Sequence, residues 1–213
     1  MQRFISGLLV IGLIFTSAGC VTVGNNAEQG ALTGAAGGAI IGSLIGDSQG
    51  DALLGAIIGA AIGGAAGAYI GGYMDRQAAE MRQDVEGAEV ERVGEGIRVS
   101  FDIGMFFGAG GFELMLSGRE GLNSMAIILN QYPSTHVFIE GSPYGPGASE
   151  REIALSRHRA RAMADYLRSR NVGADRFTVR DYNRSRAASR GNRLSMAVMA
   201  DDNLRNAARS HAR

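Results

Sequence analysis

The sequence predicts an α+β protein, a glycine-rich helical hairpin followed by a two-layer domain with the element order β-α-β-α-β-β. Two observations predict it. From Gly30 onward glycine recurs at every fourth position in two runs, separated by a short polar break. After residue 96 the pattern changes to alternating apolar strands interleaved with helical periods and capping signals.

The chain opens with Arg3, an apolar run from Phe4 to Phe15, and small residues up to Cys20, the one cysteine of the protein. This is the form of a secretion signal over residues 1–19, too short to span a bilayer in its own right. Ser17-Ala18-Gly19-Cys20 resembles the bacterial lipoprotein processing site. That resemblance implies acylation of Cys20, with residues 20–29 as the lipidated N-terminus and tether. Val21 stands where aspartate would imply inner-membrane retention. The implied location is therefore the outer membrane, with the C-terminal domain in the periplasm.

Residues 30–74 carry the glycine ladder: Gly30, Gly34, Gly38, Gly42 and Gly46, then Gly55, Gly59, Gly63, Gly67 and Gly71. Glycines four apart line one face of a helix and let a second backbone approach closely. Each costs about 1 kcal/mol in a solvated helix, so ten of them require packing in return. Two helices joined at Asp47–Asp51 would pack through Gly34, Gly38, Gly42, Gly59, Gly63 and Gly67. Residues 29–46 and 52–74 hold no charged side chain. As helices they would be about 27 and 34 Å long, close to a bilayer core of about 30 Å. The hairpin is expected either to enter a membrane as transmembrane helices or to pack against copies of itself as a homo-oligomer. The pattern resembles the glycine-zipper two-helix segments of envelope lipoproteins. Residues 75–96 are charged; the first part can continue the second helix for a few turns, and Gly87, Gly94 and Gly96 then mark a boundary, so the stretch reads as a linker.

Composition excludes several functions. All 21 basic residues are arginine, so no lysine is present for a phosphate-binding Walker A loop. The three histidines, His136, His158 and His211, have no metal-ligand spacing. No nucleophile–base pair or nucleotide loop is evident, and the reading is of a non-enzyme without cofactor or metal. The formal charge is zero, but residues 151–213 hold 15 arginines against 6 acids. A basic C-terminal third suggests an anionic partner. Nucleic acid is excluded by the secretion signal.

In the C-terminal part, Ile97–Ile103 alternates as a half-buried strand. Ser117 and Glu120 form a capping-box pair, followed by Leu122, Met125, Ala126 and Leu129 on one helical face. Residues 136–141 form a second strand ending at Gly141. Ser149 and Glu152 cap a helix reaching about Arg170, with Asn171 as a left-handed terminator. Phe177–Val179 begins a third strand, and Leu194, Met196, Val198 and Ala200 mark a fourth. Residues 201–213 are expected to be a flexible tail.

Gly141, Leu155-Ser156-Arg157-His158-Arg159-Ala160, Tyr166-Leu167, Asn171-Val172 and Arg176-Phe177 resemble the OmpA C-terminal-like family over residues 97–200. The resemblance implies the β-α-β-α-β-β fold and noncovalent binding of peptidoglycan. In the family an aspartate and an arginine hold the ammonium and carboxylate of diaminopimelate in the stem peptide, one charge of each sign for a zwitterion. The arginine falls on Arg159. The aspartate falls on Tyr144 and an asparagine of the motif falls on Glu152, which lies on the same helix side as Arg159 and is a candidate replacement acceptor. Near the C-terminus the family's second arginine is lost at Asn192-Arg193-Leu194. Two functions follow. One is an outer-membrane lipoprotein with a degenerate peptidoglycan site. The other is an envelope assembly module that has lost that site and oligomerises through its hairpin.

Overall fold

The computed structural model describes residues 64–143, 147–180 and 193–213. The signal segment, Cys20, Gly34, Gly38, Gly42, Gly59, Gly63 and Tyr144 lie outside the described residues. In chain order the elements are α1 (Gly64–Asp84), β1 (Ala88–Val93), β2 (Gly96–Phe101) and α2 (Ile103–Phe106). They continue with α3 (Leu116–Gln131), β3 (Thr135–Ser142), α4 (Glu150–Ser169), a 3₁₀ turn (Ala174–Arg176), β4 (Phe177–Arg180), β5 (Arg193–Ala200) and α5 (Asp202–His211). The strands form one sheet in the order β1-β2-β5-β3-β4. β3 and β4 are parallel, joined by α4, and the remaining pairs are antiparallel.

Alternation puts Ile97, Val99, Val137, Ile139, Leu194, Met196 and Val198 on the sheet face covered by the helices, all of them buried. From α3 come Leu122, Met125, Ala126 and Leu129, the face the helical period marks. From α4 come Ile153, Ala160, Met163, Ala164 and Leu167. The α4 capping box is present, with Ser149 and Glu152 each bonding the other's backbone. Asn171 has φ 65°, the left-handed conformation its position after the helix requires. The β-α-β-α-β-β core is thus the predicted one, with β1 as a fifth strand at the edge.

Three regions differ from the expectation. Residues 75–96, read as a charged linker whose first part continues the helix, do form the second half of α1, but they also hold all of β1, a strand the linker reading did not contain. Ala66, Ile70, Met74, Ala78, Met81 and Val85 recur every three or four residues and are buried in the domain core. Gly67 is on the same helix. The end of the 52–74 segment is therefore packed on the domain. No helix among the described residues is long and apolar enough to cross a membrane. Residues 201–213, read as a tail, hold α5, capped by Asp201 Oδ1 on the Leu204 amide and anchored by Leu204 and Ala208. Finally, α3 starts at Leu116 without a side-chain cap, and the Ser117 hydroxyl donates to the Met105 carbonyl.

Polar contacts fix α1 to the domain. Tyr73 Oη accepts from the Ser134 amide, and its ring meets Tyr132 edge-on at 5.1 Å. The Tyr132 hydroxyl donates to Glu80. Burial, aided by that acidic neighbour, raises the Tyr132 pKa to about 12. At the same corner, Arg176 closes the C-terminus of α3. Its Nη1 and Nη2 donate to the carbonyls of Leu129 (2.7 Å) and Tyr132 (2.9 Å). Its Nε donates to the Thr135 carbonyl at 2.8 Å. A cation there meets both the free carbonyls and the helix dipole.

The tightest approach is between β3 and α4. A Cβ on Gly141 would lie 2.2 Å from the Ser156 carbonyl oxygen, so only glycine allows this packing. Gly141→Ala should lower stability by about 3 kcal/mol, because the obstacle is backbone that cannot rotate away. Urea unfolding would read it as a lower midpoint with an unchanged slope. Ser149 hydrogen bonds hold the Glu152 carboxyl below its ordinary value. A depressed carboxylate contributes stability above its unfolded pKa, near 4.5, that is lost as pH falls through the folded value. Glu152→Ala should therefore melt earlier than the parent at pH 7, and the difference should shrink below pH 4.5.

Candidate functional site

The loop after β2 and the first half of α4 meet at Arg159. Its position follows from the helical period: Ser156 and Ala160, its near neighbours on the inner face, are buried, and so is Arg159, at 7% exposure. The remaining basic residues of α4 divide differently. Arg161 is exposed, Arg157 is half-buried, and Arg168 pairs with Asp165 at 2.8 Å while its guanidinium covers the Phe177 ring.

The Arg159 head group is held from two sides. Nε donates to the Gly111 carbonyl at 2.8 Å, and the guanidinium carbon lies 5.5 Å from the centre of the Phe107 ring. These contacts orient the planar fork and leave its far edge open. Among the described residues neither terminal nitrogen has a hydrogen-bond or ion-pair partner. Burial lowers the arginine's pKa from its ordinary value, and no charged neighbour acts against that shift. The arrangement is a pre-oriented cation with two parallel N–H donors, the geometry a carboxylate or phosphate takes bidentately.

The loop that carries Gly111 continues with the exposed Phe112 and Glu113. Phe112, 48% exposed, stacks on His158 with ring centres 5.2 Å apart, and Met115 and Leu116 are also exposed. Sequence reasoning found Arg159 but missed Phe107 and Gly111. They come from a loop 48 residues away, with no periodic signal linking it to α4. Glu152 lies at the start of α4, exposed, with Oε2 accepting from the Ser149 amide (2.8 Å) and hydroxyl (2.7 Å). The structure therefore shows it as a capping residue. Tyr144 is outside the described residues. Among the described residues no group of three or more His, Cys, Asp or Glu is arranged to hold a metal.

Comparison with known proteins adds two kinds of similarity. Residues 1–75 match the family model for the YMGG-like Gly-zipper. Over 106 residues the chain is 32% identical to the Probable lipoprotein YiaD of Escherichia coli K12. That match covers 49% of this chain and 48% of the relative, so the chain spans about half the length of the curated relative it matches. Among solved structures, a MotB-like protein from Desulfovibrio vulgaris aligns with TM-score 0.49 at 14% identity, covering 62% of this chain and 94% of that one. The cell wall anchor of the type VI secretion system from Pseudomonas aeruginosa aligns with TM-score 0.45 at 21% identity, covering 60% and 97%. The chain is thus similar to a YMGG-like Gly-zipper protein over its first third and to a lipoprotein over half its length, in line with the glycine-zipper, OmpA-like lipoprotein its sequence resembles.

Proposed function

We propose that the chain is a non-catalytic lipoprotein of the cell envelope, anchored in the outer membrane through Cys20. Its domain lies in the periplasm and binds peptidoglycan noncovalently through a stem-peptide carboxylate at Arg159. The observation that carries this reading is the buried, pre-oriented guanidinium whose two terminal nitrogens have no hydrogen-bond or ion-pair partner among the described residues. A desolvated cation without a counter-charge contributes little to folding, and its free donors suit an anionic ligand. The lipoprotein part is supported by the Ser17–Cys20 motif and by the similarity to a relative named as a lipoprotein. The glycine ladder at Gly34, Gly38, Gly42, Gly59, Gly63 and Gly67 is proposed to pack the preceding helices together, α1 being their continuation onto the domain.

Co-sedimentation of the detergent-solubilised full chain with purified sacculi tests the reading. Arg159→Met should weaken pelleting about ten- to hundred-fold, the equivalent of one charge-assisted hydrogen-bonded pair of about 1.5–3 kcal/mol. Its unfolding free energy should stay within about 1 kcal/mol of the parent, since an apolar side chain replaces an uncompensated cation. A variant that unfolds but still binds at matched native concentration would assign Arg159 to the core and leave the reading without its site.

A further inference from the structure

Two neighbouring residues of α4 hold two neighbouring residues of the loop after α2. Arg159 Nε donates to the Gly111 carbonyl at 2.8 Å, and the His158 ring faces the Phe112 ring at 5.2 Å, tilted by 31°. Consecutive helix residues point about 100° apart, so Arg159 turns to the core and His158 to the surface. The loop passes α4 at that level. It gives its backbone to the buried contact and its side chain to the exposed one.

The segment that carries the Gly111 carbonyl has little else of its own to fix it. It is closed at the base by the β-bridge between Phe107 and Leu114, and turned by the Gly111 amide donating to the Gly108 carbonyl at 3.1 Å. A methyl group at Gly108 or Gly110 would meet nothing within 4 Å, so neither position is packed against the domain. Gly110 has φ 69°, the left-handed region that glycine enters without cost. Glycine also loses the most conformational freedom on ordering, so a stretch of this kind needs an anchor. Phe112 is the first large side chain after Phe107 in the chain. Its ring lies on His158 while 48% of the residue stays open to solvent.

We propose that Phe112, stacked on His158, is a positioning residue for the Arg159 site. It latches the glycine loop to α4, which keeps the Gly111 carbonyl on Nε and so fixes the plane of the guanidinium. What that plane then receives rests on the peptidoglycan reading above; the latch acts before any ligand arrives.

The test uses the detergent-solubilised full chain and its Phe112→Ala, Phe112→Tyr and His158→Ala variants. Without ligand, the ¹H–¹⁵N signal of Arg159 Nε, assigned by its loss in Arg159→Met, reports the bond to Gly111. Phe112→Ala and His158→Ala should speed exchange of that proton about three-fold or more, because the loop tip opens locally. Arg176 Nε, bonded to the Thr135 carbonyl at 2.8 Å, is the internal control and should exchange as in the parent. Phe112→Tyr keeps the ring and should behave as the parent does. The melting midpoint of each variant should stay within about 4 °C of the parent, since the loop tip is outside the core. With sacculi, Phe112→Ala should pellet about three- to ten-fold more weakly, the worth of one aromatic contact, and Phe112→Tyr should pellet normally. Unchanged Arg159 Nε exchange in Phe112→Ala would overturn the latch, whether or not sacculi bind. Equal acceleration at Arg159 and Arg176 would overturn it too, since that marks general loosening. Faster exchange at Arg159 alone, with a parent that does not pellet, would uphold the latch and overturn the peptidoglycan reading. Faster exchange with undiminished pelleting of Phe112→Ala would overturn its role in binding.

Discussion

The backbone contact between Gly141 and Ser156 is the constraint on which the site depends. Glycine at the end of β3 lets α4 come so close that a single methyl group would overlap the Ser156 carbonyl. Ser156 is itself small and buried, its hydroxyl turned back to the Ile153 carbonyl, so it adds no bulk to the contact. A contact this tight sets the height and rotation of α4 against the sheet. Arg159 follows three residues later, slightly less than one helical turn, and so its head group is fixed beside Phe107 and Gly111. A binding arginine needs this, because a long side chain held only at its Cα would lose much of its affinity to rotamer entropy.

The same logic holds away from the site. Arg176 binds the end of α3 and the start of β3 through four hydrogen bonds, and it does so near the surface where the chain reverses. Arg159 and the half-buried Arg176 therefore differ in kind. Arg176 has its donors matched by carbonyls of its own chain, which is a structural use. Among the described residues Arg159 has only its Nε matched, the arrangement on which the proposed binding role rests. At the same turn, α1 is hydrogen-bonded to the domain through Tyr73 and Glu80 and packed on it through Met74, within and just after the stretch that resembles a glycine zipper. The domain is therefore a rigid continuation of that helix from at least Gly64.

The strands were legible because their side chains alternate: Leu194, Met196, Val198 and Ala200 are all buried on one face. The Ser149–Glu152 cap and Asn171 were legible because their local chemistry allows few other conformations. The helical start of residues 75–96 was legible but its packing on the domain was not, because Ala78 and Met81 are diluted by charged neighbours, and β1 was missed because it is an edge strand with no buried residue. Helix α5 has only two buried residues, Leu204 and Ala208, so composition hid it, although Asp201 was a readable cap. Arg159's burial followed from its place between Leu155 and Met163. Its lack of a carboxylate partner among the described residues did not, since that depends on where distant segments come to lie.

The central claim is that Arg159 presents a free, fixed guanidinium edge to a carboxylate. The most direct measurement is the side-chain ¹H–¹⁵N spectrum of the arginines during titration with a purified stem tripeptide, with Arg159 assigned by substitution. The account predicts saturable shifts and slowed rotation of the Arg159 Nη groups, while Nε, already bonded to the Gly111 carbonyl, moves little. A titration in which sacculus-binding protein leaves the Arg159 signals unchanged, or shifts only exposed arginines such as Arg161, would contradict it.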